Sequence, residues 1–231
     1  MRSSKVSAIL KLLRGNFGRR RFIRRKDAVG ELVKTILSQN TSDRNSFRAY
    51  NNLKKRYKDW DALRRAKASE IKPEIRLAGL ANIKAPRIKG ALEEIKTRRG
   101  LLSLDFLRGI DTGAGYEFLR SIKGVGPKTA AVVLLFSFGK PIMPVDTHVY
   151  RAAKRLGILS GKATREEAQK YLSAVVPKNL IYEFHLNLIS HGREICVARN
   201  PRCGICNLKR LCEYYKNVIA KSRRIVGTEA I

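Results

Sequence analysis

The chain has 231 residues, 44% apolar and 29% charged, which excludes disorder throughout, a collagen-like repeat and a low-complexity chain. Its 49 Lys and Arg stand against 19 Asp and Glu, a net charge of +30 at pH 7; self-repulsion of that size calls for an anionic partner, and nucleic acid is the commonest. The longest apolar run, 130–136, is far short of the roughly 18–20 residues that cross a bilayer, and the basic residues are spread along the whole chain where a membrane-binding segment would concentrate them, so no membrane partner is expected.

The first 26 residues hold ten Lys or Arg and no acid. Val6, Ile9, Leu10, Leu12 and Leu13 carry a partial helical period, and Arg19–Arg21 with Arg24–Lys26 form a basic block. Three readings stand: a solvated helix and linker, an arm on DNA phosphates, or an imitation of an organelle transit peptide. No apolar stretch with a cleavage-like site follows Met1, so an intracellular protein is expected, in cytoplasm or nucleoid if prokaryotic.

Helical spacing of apolar residues predicts helices over 28–37, 44–57, 59–66, 69–77 and 86–98, and again over 147–156, 164–175 and 181–190. Glycines at 79, 100, 113, 124, 126 and 139 mark the breaks. No alternating strand pattern appears, and the class is all-α. After the first of these helices comes the amide-rich turn Ser38-Gln39-Asn40-Thr41-Ser42-Asp43, whose amides could simply cap helix ends. A second turn, Ala78-Gly79-Leu80-Ala81-Asn82, precedes the 86–98 helix.

The stretch Ile122-Lys123-Gly124-Val125-Gly126-Pro127-Lys128-Thr129-Ala130 is the most informative. A helix ends, Gly124 and Gly126 flank Val125, proline fits the first position of a new helix, and small residues follow. Backbone N–H groups at such a corner can cradle a phosphate; an ordinary helix–turn–helix corner is the plain alternative. Lys128 falls in the first helical turn, a place that costs a cation up to about 1 kcal/mol against the helix dipole. That placement suits a nucleophilic amine, although a phosphate-binding or solvent-seeking lysine would look the same. Eighteen residues on, Asp146 in Pro-Val-Asp-Thr-His-Val stands where a helix should begin. It reads as an N-cap whose carboxylate can also meet a cation. His148 could line a pocket, contact phosphate or lie on the helix surface, whereas His185, in an apolar helix, reads as structural.

Cys196, Cys203, Cys206 and Cys212 crowd into 17 residues with spacing C-x6-C-x2-C-x5-C. In an intracellular chain they read as a metal site and not as disulfides. The spacing alone leaves both an iron–sulfur cluster and zinc open. Arg199, Arg202, Lys209 and Arg210 on the same loops could meet phosphates or merely be solvated.

Lys-Gly-Val-Gly-Pro-Lys-Thr-Ala followed by Val-Asp-Thr-His-Val resembles the helix–hairpin–helix DNA glycosylase superfamily, in its endonuclease III branch. The resemblance covers about residues 28–215. It implies Lys128 as nucleophile, Asp146 as its partner, and Gly124, Val125 and Gly126 as a DNA-binding hairpin. The cysteine segment, from His191-Gly192-Arg193 to Leu211-Cys212-Glu213-Tyr214, is similar to that branch's [4Fe–4S] loop. The Gln39-Asn40 turn resembles the segment whose glutamine fills the gap left by a flipped nucleotide, but alignment sets Asn40 against that glutamine, so either residue could be the plug. Leu80 corresponds to an apolar wedge between bases.

The resemblance implies two all-α domains, a helical bundle over residues 27–143 and a discontinuous cluster domain of residues 1–26 plus 144–231, with a DNA cleft between them. The expected function is a monomeric base-excision-repair glycosylase with β-elimination lyase activity, acting on damaged pyrimidines or abasic sites in double-stranded DNA without a diffusible cofactor. The alternatives are a related glycosylase for mismatched thymine, uracil or a modified cytosine, and a non-catalytic helix–hairpin–helix DNA-binding protein.

Overall fold

The computed structural model describes residues 2–217, which form α-helices and short 3-10 turns with no strand among them. The chain divides into two units, residues 23–140 and residues 1–22 with 141–231.

Residues 23–140 contain α2 (Ala28–Leu37), α3 (Asp43–Arg56), α4 (Trp60–Arg65), α5 (Ala68–Glu74), α6 (Ala81–Arg99), α7 (Thr112–Ser121) and α8 (Pro127–Phe138). Asp27 caps α2 by accepting from the Gly30 N–H at 2.7 Å, and Ser42 and Asp111 cap α3 and α7 in the same manner. α2 and α8 are buried nearly all round and pack on one another. Leu32, Ile36, Leu37, Val133 and Leu134 are at most 1% exposed, and burial of each contributes about 1.5–3 kcal/mol.

Among the boundaries that differ from the sequence pattern, two flank the Leu80 turn. α6 begins at Ala81, not at Pro86, and the proline lies inside the helix. Its inward stripe runs back through Ala85 and Lys84, both buried, and a lysine conceals such a stripe because lysines are normally exposed. α5 stops at Glu74 and the chain then tightens into a 3-10 turn, Arg76–Ala78, ending on Gly79 at φ 67°.

The second unit holds α1 (Arg2–Phe17), α9 (Thr147–Arg155), α10 (Arg165–Val175) and α11 (Ile181–Glu194), with α11 packed against α9 and α1. α1 is not a solvated helix or a free arm: Val6, Ile9, Leu10 and Leu13 are buried. Arg14 pairs with the buried Glu183 at 2.6 and 2.9 Å. Past α1 the chain stays on α11, where Asn187 donates to the Gly18 carbonyl at 3.0 Å and the Phe22 ring meets Tyr182 edge-on. The Arg19, Arg20 and Arg21 side chains remain exposed. No helix among the described residues is long and apolar enough to cross a membrane.

Candidate active site and cluster loop

In the unit of residues 23–140, the hairpin forms as α7 ends and Ile122 drops into the core, with the Val125 N–H closing a turn on the Ile122 carbonyl at 3.0 Å. Gly124 sits at φ +87°, and a Cβ there would also come within 3.2 Å of the Arg87 side chain, so two constraints ask for glycine. Val125 is 3% exposed and anchors the turn from inside, so what it can offer DNA is its backbone. Gly126 supplies α8 with no side-chain cap, and Pro127 takes the first helical position. Lys128 is thus the second residue of an uncapped helix N-terminus, half-buried, followed by the buried Thr129, Ala130 and Ala131.

The Gln39-Asn40 turn belongs to the same unit, and its two amides differ. Gln39 is half-buried: its amide nitrogen lies 3.5 Å from the Thr129 hydroxyl, and its oxygen accepts from Arg87 at 3.4 Å. Asn40 is exposed at the turn's apex with φ 52°. Leu80 has φ 51° and is 50% exposed, flanked by the exposed Leu77 and Ile83. A left-handed leucine stores strain of about 1 kcal/mol or more, which persists only where the surroundings impose it. Among the described residues three non-glycines have positive φ, and two of them are Asn40 and Leu80.

In the second unit, Asp146 caps α9 by accepting from the Val149 N–H at 2.8 Å. His148 is the second residue of that helix and lies against Arg151, whose guanidinium donates to its Nδ1 at 3.2 Å. A Cβ on Gly192 of α11 would fall 2.9 Å from the His148 Cβ, so glycine there permits the close helix contact. Arg151 and Arg155, one turn apart on α9, bind the cysteine loop. Arg151 donates to the carbonyls of Gly192 at 2.6 Å and Cys196 at 2.8 Å. Arg155 donates to those of Val197 at 2.7 Å and Ala198 at 2.9 Å, and to the Cys196 Sγ at 3.4 Å. The helix that begins at Asp146 is therefore tied directly to the loop.

The four thiols line one pocket together with Arg155, His191, Ile195 and Tyr214. Four thiols around one shared cavity are a donor set that a cluster of iron and sulfide ions can use. Burial pushes the Cys203, Cys206 and Cys212 thiols up, and their mutual repulsion adds to it. Ferric and ferrous iron would supply the positive charge that keeps such thiols ionised. The donor set fits an iron–sulfur cluster. Arg199 and Arg202 are exposed beside it, as is Arg210, while the Lys209 ammonium donates to the Gly204 carbonyl at 3.1 Å.

Residue reasoning missed Lys84, Arg87, Thr129, Arg151 and Arg155. The pair Arg151 and Arg155 has a signal of i, i+4 spacing on a helix just before the cysteines, but that spacing reads equally as a charged surface.

Two family models match the chain. Residues 33–178 match the HhH-GPD superfamily base excision DNA repair protein, and residues 196–212 match the iron-sulfur binding domain of endonuclease III, which assigns the loop a [4Fe–4S] cluster. A protein of Arabidopsis thaliana, provisionally named a DNA glycosylase, is 40% identical over 165 residues, which cover 71% of this chain and 56% of that protein. The chain thus spans just over half the length of that relative. The endonuclease III of Sulfolobus acidocaldarius is 34% identical over 192 residues, 82% of this chain and 83% of that one. The fold superposes on a trapped covalent endonuclease III–DNA intermediate with a TM-score of 0.81 at 26% identity, covering 94% of this chain and 98% of the other. A family match across more than half the sequence and an endonuclease III matched over four-fifths of its length place the chain in the HhH-GPD superfamily of base excision DNA repair proteins, as an endonuclease III-like member.

Proposed function

We propose that the chain excises damaged pyrimidines from duplex DNA as a monomer and cuts the strand at the resulting abasic site. The observation that carries this reading is Lys128 itself, a half-buried residue at the uncapped start of α8, directly behind a two-glycine turn. A phosphate held by the turn's N–H groups sets the damaged nucleotide's backbone beside that amine. A damaged base stacks or pairs poorly, so extruding it costs less than extruding a normal one.

The Lys128 Nζ then bonds to the sugar C1′ while the C1′–base bond breaks and the base leaves with the electron pair and a proton. Asp146 stabilises the positive charge that grows on the sugar and manages the proton lost by the lysine. Ring opening gives a protonated Schiff base between Nζ and C1′. Loss of a 2′ proton expels the 3′ phosphate by β-elimination, and water releases the sugar fragment and restores the amine. Cys196, Cys203, Cys206 and Cys212 would hold the [4Fe–4S] cluster, and the four thiolates joined through it would cross-link the loop that Arg151 and Arg155 tie to the Asp146 helix.

Asn40 is the better candidate than Gln39 for filling the vacated stack, because it is exposed at the apex while Gln39 is drawn toward Thr129 and Arg87. Leu80, flanked by Leu77 and Ile83, is the wedge. Gly124, Val125 and Gly126 act through their backbone, and His148, Arg199 and Arg202 provide further contacts to DNA.

A panel of duplexes with single damaged or mismatched bases tests the reading. The expected result is one strand cut per base released, on ring-damaged pyrimidines. Release of thymine or uracil opposite guanine in preference to damaged bases would replace it with the mismatch reading. Tight binding with no release would leave a DNA-binding module.

A further inference from the structure

Lys84 is a fully buried charged side chain, at 1% exposure. Its ammonium donates to the Leu37 carbonyl at 2.6 Å and to the Ala78 carbonyl at 2.8 Å, and its backbone N–H donates to the Leu80 carbonyl at 2.9 Å. Those acceptors are placed tellingly. Leu37 is the last residue of α2, three before Asn40; Ala78 ends the 3-10 turn, two before Leu80. Each carbonyl ends a helical segment and lacks a partner within it, and at Leu37 the dipole of α2 also favours a cation.

A buried ammonium is an expensive way to fill a core, since an apolar side chain of similar length would fill it without desolvating a charge. Burial alone pushes Lys84 down to about 8. What lysine provides and methionine cannot is a rigid donor bridging two separate turns. The tips of those turns are Asn40 and Leu80, both left-handed.

We propose that Lys84 is a positioning residue that clamps the Asn40 turn to the Leu80 turn, so that the two enter the DNA stack as one rigid device. This rests on the reading of Asn40 as plug and Leu80 as wedge. Without the clamp each turn is free to relax the strain at its own tip, and the pair no longer meets the stack in register.

The test compares single-turnover cleavage of two duplexes, one carrying a ring-saturated thymine in a base pair and one carrying a preformed abasic site at the same position. Lys84→Met keeps length and volume and removes all donors. It should slow the base-containing duplex at least tenfold and the abasic duplex less than about threefold, with DNA affinity within about threefold of wild type. Lys84→Gln, which keeps an amide donor, should fall between.

Leu80→Ala run alongside separates the two failures. If Leu80→Ala shifts the ratio of rates and Lys84→Met does not, the clamp is wrong and the wedge stands. If Leu80→Ala leaves the ratio unchanged, the wedge reading falls and takes the clamp with it. Equal slowing on both duplexes, or failure of both Lys84 variants to fold, makes Lys84 a plain folding residue and overturns the proposal.

Discussion

The hairpin around Gly124 and the loop of residues 196–212 both hold irregular backbone in place, and they do so with different materials. Around the hairpin Ile122, Val125, Ala130 and Ala131 are all buried, so the two-glycine turn is pinned from within by apolar side chains on both flanks. In the loop only Leu208 and Cys212 are buried, the backbone makes two short 3-10 turns, and Ile205 stands 70% exposed. That loop has too little apolar surface of its own to fix its shape, which instead comes from hydrogen bonds made by Arg151 and Arg155 and from whatever joins the four thiols. A hydrophobically pinned element should tolerate changes at its reactive residues without losing its fold, whereas a cross-linked one should lose structure when one link is cut.

The sharpest contrast is expected at Asp146, which sits on α9, the helix tied to the loop, but serves it only as a cap. Asparagine caps as well as aspartate, so Asp146→Asn should keep the melting temperature within about 2 °C. Turnover should nevertheless drop by roughly a thousandfold, about 4 kcal/mol in the barrier. Early melting with chemistry intact would make Asp146 structural only.

Cutting a cross-link should do the reverse. Cys203→Ser should lower bound iron well below four atoms per chain, reduce soluble yield and destabilise the loop, all measurable by iron analysis and thermal melting. Stoichiometric zinc without iron in anaerobically purified wild-type protein would remove the cluster from the account.

In the hydrophobically pinned unit the buried Lys84 predicts a pH effect. The folded protein gives up this proton near pH 8, while the unfolded chain holds it to about 10.5. Between those values the unfolded state binds more protons, so stability rises with pH. Relative to Lys84→Met, wild type should gain up to about 3 kcal/mol across pH 8–10.5 in denaturant titrations. A flat difference would mean that Lys84 is not buried as a titrating amine.

A smaller effect is expected at Arg155. Arg155→Met keeps much of the packing but removes the donors to Val197, Ala198 and Cys196, which should destabilise the protein by about 1–3 kcal/mol and speed iron loss to a chelator. A variant as stable as wild type and equally slow to lose iron would show that the thiols hold the loop unaided.

The contrast also explains what the sequence disclosed. Gly124, Gly126, Pro127 and the four cysteines are short-range signals, each tied to a local backbone or ligand requirement, and the hairpin and loop were visible from them. The helix starting at Ala81 was hidden because Lys84 breaks its apolar stripe and Pro86 imitates a first helical residue. Arg151 and Arg155 were hidden for a related reason: their partners lie about forty residues away, and nothing local distinguishes an arginine that reaches a distant carbonyl from one in water. Asn40 and Gln39 look alike as letters, and only the left-handed apex tells them apart.

Covalent capture on abasic DNA reads out directly whether Lys128 is the nucleophile. Borohydride adds hydride to the Schiff-base carbon and turns a transient iminium into a stable amine link. Wild type mixed with a duplex containing one abasic site and borohydride should yield a single protein–DNA adduct. Lys128→Gln should yield none while binding the same duplex within about tenfold, since one of many cationic contacts is lost. Wild-type levels of adduct from Lys128→Gln would contradict the account.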